Sequence, residues 1–260
     1  MRSLSTVEKA IDVLFAVAEE EMGVGVTEIA RRLQYKKSTV HQVLVSLREK
    51  GLLEQDALTK VYRLGPRIVL LSKAYFQRLR LTRNVLPILA KLRDLSSETV
   101  VLNMRSGNAV IIVAQVESHH QVRRVAEIGA SIPLYEGSAG KVVLAFLSEP
   151  ERTLILRDVR RNVTSSPPNQ ISDFVRNLEK ELLDIRKKGY AMNLAADERD
   201  AHFMSAPIFD SFDQVIGCIS ISGPSNRFTE PRVRKQIQPI LQCANEISQT
   251  YGSSIVLPIY

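Results

Sequence analysis

The chain has 260 residues, 45% hydrophobic and 24% charged, with a formal net charge of +7. This is a soluble globular composition with room for one large domain or two ordinary ones. It excludes a helical membrane protein, since no apolar run approaches the ~18–20 residues a span requires.

The opening "MRSLSTVEKAIDVLFAVAEE" carries acids at regular spacing and is not a secretion signal. Ser5-x-x-Glu8 is a capping box at a helix start. Val7, Ala10, Ile11, Leu14, Val17 and Ala18 then recur at helical spacing and predict one buried face. "TEIARRL" predicts a second helix capped by Thr27. After the turn "QYKK", Ser38 is expected to cap a third helix, stopped by Gly51, with Val40, Val43, Leu44 and Leu47 inward. Ser38, Gln42 and Val45 point the other way, flanked by Thr39 and His41. Two short helices around a tight turn, the second with a small polar face, make a helix-turn-helix. "LLEQDALTKVYRLG" adds a two-stranded wing. Residues 27–83 hold 13 Lys and Arg against 4 Asp and Glu, whereas 84–260 hold 20 against 19, so the basic excess lies where a polyanion would be met.

"RIVLLSKAYFQRLRLTRNVL" predicts a linker helix, and Pro87 opens the next one. From residue 98 strands dominate: "ETVVLNMRSGNAVIIVAQVES" is a hairpin around Ser106-Gly107-Asn108, and "VRRVAEIG" is expected to be a further strand. "IPLYEGSAGKVVLAFL" raises the question of a nucleotide loop, but Tyr135 and Val142 stand where that motif needs glycine and Ser or Thr. A second capping box at Ser148-Glu149-Pro150-Glu151 opens a short helix, and a long amphipathic helix follows with Phe174, Leu178, Leu182 and Ile185 inward. "HFMSAPIF" and "QVIGCISISG" are strands joined at Asp210–Asp213, and Thr229 starts a final helix that Pro239 is expected to kink. Strands with inserted helices and a closing helix predict an α+β fold with an antiparallel sheet.

The anchors "VEKAIDVLFAVAE", "VTEIARRL", "KKSTVHQVLVSLREKGLLEQD", "YRLGPRIVLL", "IPLYEGSAGKVVLAFL", "RKKGYAMN", "APIFD" and "ISISGPSNRFTE", in this order and spacing, resemble the IclR-type bacterial transcription regulators. The resemblance runs from about Ser5 to Ser248. It implies a winged helix-turn-helix at 1–65, a linker helix at 66–83, and a GAF-like effector-binding and oligomerisation domain at 84–260. It further implies a double-stranded DNA operator, a small-molecule effector that is often a carboxylate, and homodimers or homotetramers.

On this basis Ser38, Thr39, His41 and Gln42 are expected at base edges, and Lys36, Lys37, Lys60 and Arg63 at phosphates. Gln42 stands where the family commonly has Arg, which shifts the expected preference from guanine to adenine, and Gln34 where it has Gly. The turn "GSAG" at a helix start suits a carboxylate without a metal, and the resemblance assigns Ser138, Ala139 and Gly140 to the effector. It adds Ile132, Asn193, Ala201, Phe203, Ser220 and Ser222. Asn193, Asp200, His202 and Phe203 depart from the family's usual residues, and Phe203 in place of a thiol predicts a small or flat effector.

Cys218 and Cys243 have no CxxC or Cys/His cluster about them and read as reduced, buried thiols of a cytoplasmic protein. His119-His120 reads as a solvent-facing turn rather than a metal site. No nucleophile–base pair is present, so no catalytic site, cofactor or metal is expected. The alternatives are an enzyme acting on the small molecule and a nonspecific DNA-binding protein; the latter would not need the near-neutral domain at 84–260.

Overall fold

A computed structural model describes residues 5–162, 168–193 and 201–258. The chain forms two compact units, Met1–Arg80 and Leu81–Tyr260.

In the first unit α1 (Thr6–Ala18) starts at Ser5, whose hydroxyl accepts from the Glu8 amide while the Glu8 carboxylate accepts from the Ser5 amide. Its buried residues are Val13, Ala16 and Val17, and Val7 and Ile11 are 67% and 48% exposed. Of the predicted face, Val17 is buried and Ala10 and Leu14 pack against the core, whereas Val7, Ile11 and Ala18 face outward. This helix is apolar almost all round, so spacing alone does not choose a side; packing against α2 and α3 does.

Helix α2 (Val26–Leu33) is capped by the backbone of Gly25 rather than by Thr27. Helix α3 (Lys37–Glu49) begins after Lys36, where the backbone is still extended; Ser38 is already helical and caps nothing. The turn between them passes through Gln34 at φ 56°, a left-handed conformation that usually falls to glycine. Strands β1 (Leu53–Gln55) and β2 (Tyr62–Leu64) form the predicted hairpin. Tyr62, 1% exposed, closes a core with Val13, Ile29, Val40, Leu44 and Leu53. Helix α4 (Ile68–Arg78) buries none of its residues within this unit.

The second unit opens with a π-helical turn and α5 (Leu86–Ser96). Strands β3 (Thr99–Ser106), β4 (Ala109–Val116), β5 (Ser131–Pro133), β6 (Ala191–Asn193), β7 (Ala201–Phe209) and β8 (Val215–Pro224) make one antiparallel sheet in the order β5-β4-β3-β8-β7-β6. Its centre is β3 against β8, with Val101 opposite Ser220 and Leu102 opposite Ile219. Opposed residues share a face. One face carries Leu102, Met204, Ile219 and Ile221, all fully buried; the other carries Asn103, Ser205 and Ser220. Helices α5 and α9 (Glu230–Thr250) and α6 (Gly137–Phe146) pack on the sheet. Helix α9 is capped by Thr229 and runs on through Pro239.

Two expectations fail here. Residues 122–129 form no strand, because Val122, Val125 and Ile128 recur every third residue rather than every second, and all three are exposed. In α8 (Pro168–Lys188), Val175 is buried and Phe174 is 42% exposed, whereas Leu178, Leu182 and Ile185 are inward as predicted. Ser148 opens α7 (Glu149–Asn162), with its hydroxyl donating 2.7 Å to the Glu151 carboxylate. Among the described residues no helix is long and apolar enough to cross a membrane.

Candidate DNA and effector sites

Helix α3 is buried along Val40, Val43 and Leu44, which leaves Lys36, Lys37, Ser38, His41 and Gln42 exposed on the opposite side and Thr39 half-buried. No carboxylate among the described residues pairs with Lys36, Lys37 or Lys60. In the wing, the Asp56 carboxylate accepts from the amides of Leu58 and Thr59 and from the Thr59 hydroxyl, at 2.7–3.0 Å. Those bonds, with Thr59 foremost, hold its carboxyl below the usual value. They also fix the turn that brings up Lys60 at φ 60°. Arg63 is tied by its Nε to the Met22 carbonyl at 3.1 Å.

In the second unit a cavity of about 500 Å³ is lined by Ile132, Ser138, Ala139, Asn193, Phe203, Ser220 and Ser222. Seven of the nine residues predicted for the effector thus come together from β5, α6, β6, β7 and β8. Gly140 and Ala201 are not on the lining. Gly140 is instead a packing necessity: a Cβ there would lie 2.2 Å from the Pro133 carbonyl oxygen, so only glycine lets α6 lie this close to the chain before it. Asp200 lies outside the described residues.

The start of α6 has no side-chain cap and no acid in its first turn, so the amides of Gly137, Ser138 and Ala139 lack side-chain acceptors at the cavity wall. A chain of hydrogen bonds crosses the same wall. Asn103 Nδ2 donates to Ser220 Oγ at 3.0 Å, Ser220 Oγ lies 2.8 Å from Ser205 Oγ, and Ser205 Oγ lies 2.7 Å from Ser138 Oγ. Ser222 Oγ is buried with no hydrogen-bond partner among the described residues. A buried hydroxyl left so is costly unless something fills the space.

Residues 124–127, the failed strand, also line the cavity. Side chains hold this segment in place: Thr99 Oγ1 donates to the Arg124 carbonyl, Gln115 Oε1 accepts from the Ala126 amide, and Arg227 donates to the Val122 carbonyl. Arg227 is itself fixed by two bonds to Glu98, which is 2% exposed. The Arg124 guanidinium sits 5.8 Å from the centre of the Phe203 ring. Asn103 and Arg124 were missed in the sequence. In the sequence Asn103 is one more strand residue, and Arg124 lies in the segment 122–129 expected to be a strand.

The remaining predicted groups are placed simply. Cys218 is fully buried, its thiol pushed up to about 12 by burial, and its Sγ donates to the Ala139 carbonyl. Cys243 is likewise buried and raised to about 11. Both are free cysteines. His119 and His120 are exposed.

The sequence model of the IclR helix-turn-helix domain matches residues 6–57, and that of the bacterial transcriptional regulator IclR C-terminal region matches residues 73–249. The chain belongs to the IclR family. It is 30% identical over 249 residues to the HTH-type transcriptional regulator BhcR of Paracoccus denitrificans, covering 94% of this chain and 86% of that protein. To the transcriptional repressor IclR of Escherichia coli it is 29% identical over 251 residues, covering 96% and 90%. Among solved structures, an IclR regulator from Silicibacter superposes with a TM-score of 0.82 at 20% identity, covering 98% of this chain and all of that one. An IclR homolog from Microbacterium hydrocarbonoxydans, crystallised with 4-hydroxybenzoate, gives 0.75 at 23%, covering 94% and 98%. These two likenesses speak for the fold. The IclR-family chain is therefore a DNA-binding transcriptional regulator with a C-terminal effector-binding domain, and its relatives are regulators and repressors, not enzymes.

Proposed function

We propose that this regulator reads its operator with the exposed start of α3 and answers to a small organic acid held at the start of α6. The observation that carries the second half is the uncapped α6 terminus opening on a cavity that also holds an unpartnered buried hydroxyl. Free amides and the positive end of the helix dipole attract a carboxylate in such a place. Arg124 adds a cation to a lining that also carries Glu127 and Glu136, and Phe203 a flat wall. The acid seen with the Microbacterium homolog is of this kind.

On the DNA side, Ser38, Thr39, His41 and Gln42 meet base edges while Lys36, Lys37, Lys60 and Arg63 meet phosphates. Residues 1–65 form the reading domain, 66–83 the linker and 84–260 the effector and oligomerisation domain. The protein acts in the cytoplasm as a dimer or tetramer. Exposed Val7, Ile11 and Phe15 on α1 and Val69, Leu70 and Leu71 on α4 support self-association.

Fluorescence anisotropy on DNA from the gene's own upstream region tests this reading. A preference of about 10³-fold over a scrambled duplex is expected, altered by an acid that binds the cavity. Equal, strongly salt-dependent binding to both duplexes would leave only phosphate contacts and would defeat the operator half.

A further inference from the structure

Ser205 was not singled out in the sequence and does not line the cavity, yet it joins two residues that do. It is fully buried in β7, with Ser138 Oγ on one side and Ser220 Oγ on the other. Three hydroxyls in a row carry three hydrogens, and the two bonds between them use two. One hydrogen is left over. At Ser205 it would be buried without an acceptor, which is unfavourable. It therefore belongs to Ser138 or to Ser220, and the row points one way or the other.

We infer that Ser205 makes the two ends of this row opposite in kind, so that the site selects a 2-hydroxy acid over the corresponding 2-keto acid. The inference rests on the acid reading given above. A carboxylate at the start of α6 turns the Ser138 hydrogen toward itself. Ser205 then donates to Ser138, and Ser220 donates to Ser205. Ser220, which also accepts from Asn103, has no hydrogen left and shows a lone pair to the cavity. A hydroxyl next to the carboxylate donates to that lone pair, whereas a ketone oxygen can only accept and meets it unfavourably. Ser222, two residues along the same face of β8, remains to donate to the hydroxyl oxygen. Only two hydrogen bonds separate Ser138 from Ser220, a spacing that suits adjacent groups on one small acid. Ser205 touches no ligand in this scheme; it is a positioning residue.

Mandelate and benzoylformate share a ring, a carboxylate and the carbon between, and differ only in hydroxyl against ketone. Calorimetric titration of the full-length protein is expected to show mandelate binding about tenfold or more tightly than benzoylformate. In Ser205→Ala the row is cut and Ser220 regains a free hydrogen, so the preference falls to within about twofold. Ser205→Thr keeps the hydroxyl and restores it. Because a ratio is read, a general loss of affinity in a variant cancels. Benzoylformate binding as tightly as mandelate in the wild type, or an unchanged ratio in Ser205→Ala, overturns the role of Ser205 and leaves the acid site standing. No binding of mandelate, benzoylformate or benzoate overturns both. Should Ser205→Ala fail to fold, the wild-type ratio still tests the selection, since equal affinities overturn it.

Discussion

Helices α3 and α6 begin alike and sit in opposite surroundings. Neither has a side-chain cap or an acid in its first turn, so each offers free amides and a positive end to an anion. At α3 the neighbours are exposed lysines; at α6 the exposed Glu136 precedes Ser138, Ala139 and Gly140, all three buried. The same device is therefore screened by salt in one place and sheltered in the other. On the proposed reading, an anion at α3 would be held mainly by mobile charge, and one at α6 by fixed dipoles in a low dielectric.

The largest effect expected from this contrast is on DNA. Replacing both Lys36 and Lys37 by Ala should weaken DNA binding roughly fiftyfold at 0.1 M salt and lower the slope of log K against log salt by nearly two. Acid affinity, measured over the same salt range, should stay nearly flat. A steep salt dependence at both sites would erase the distinction. Next comes Ala139→Asp, which puts a negative charge at the sheltered terminus. It should cost about 2 kcal/mol of acid binding, roughly thirtyfold, with DNA affinity of the effector-free protein unchanged in anisotropy.

The two termini also differ in how readily sequence reveals them. The helix-turn-helix and wing lie within some sixty residues, and their apolar spacing, turns and basic excess are local signals, so α3 and its outward residues were found directly. Its cap lies two residues before the expected Ser38: Ser favours caps, but the backbone turns into the helix at Lys36. The cavity is different. Seven of its lining residues were predicted, but through family resemblance rather than periodicity. Ser205 was invisible because its partners lie 67 and 15 residues away, and only sheet register joins them. Arg124 was hidden by a segment whose apolar residues mimic a strand but are spaced by three.

Backbone strain sharpens the comparison further. Gln34 holds φ 56° at the end of α2, in the turn before α3, whereas at the first residue of α6 the left-handed φ of 57° falls to glycine, Gly137. Gln34→Gly should stabilise the first unit by about 1 kcal/mol, and Gly137→Ala should destabilise the second by a similar amount. Chemical denaturation monitored in each unit reads both; the same sign at both positions would refute the argument.

The smallest effect concerns acid pH in the wing. Thr59 and Leu58 hold the Asp56 carboxyl below its ordinary value of 3.8. The turn's stabilisation is thus complete above that value and is lost as pH falls through the lowered one. The Thr59 amide resonance should titrate with a midpoint under 3.8, and Asp56→Asn should abolish the transition. A midpoint at or above 3.8 would mean the turn does not favour the carboxylate.

The sheet order carries a consequence for how the molecule is made. Its central pairing sets Thr99 opposite Ser222, while the core of the first unit closes with Tyr62. At ribosomal speeds of about 5–20 residues per second, β3 waits on the order of 6–25 s for its partner to emerge. The helix-turn-helix unit waits less, because its far pairings, such as Val24 with Tyr62, span a shorter stretch of chain. Each newly made chain therefore passes through an interval in which its first unit can close while the central pairing of its second has yet to form.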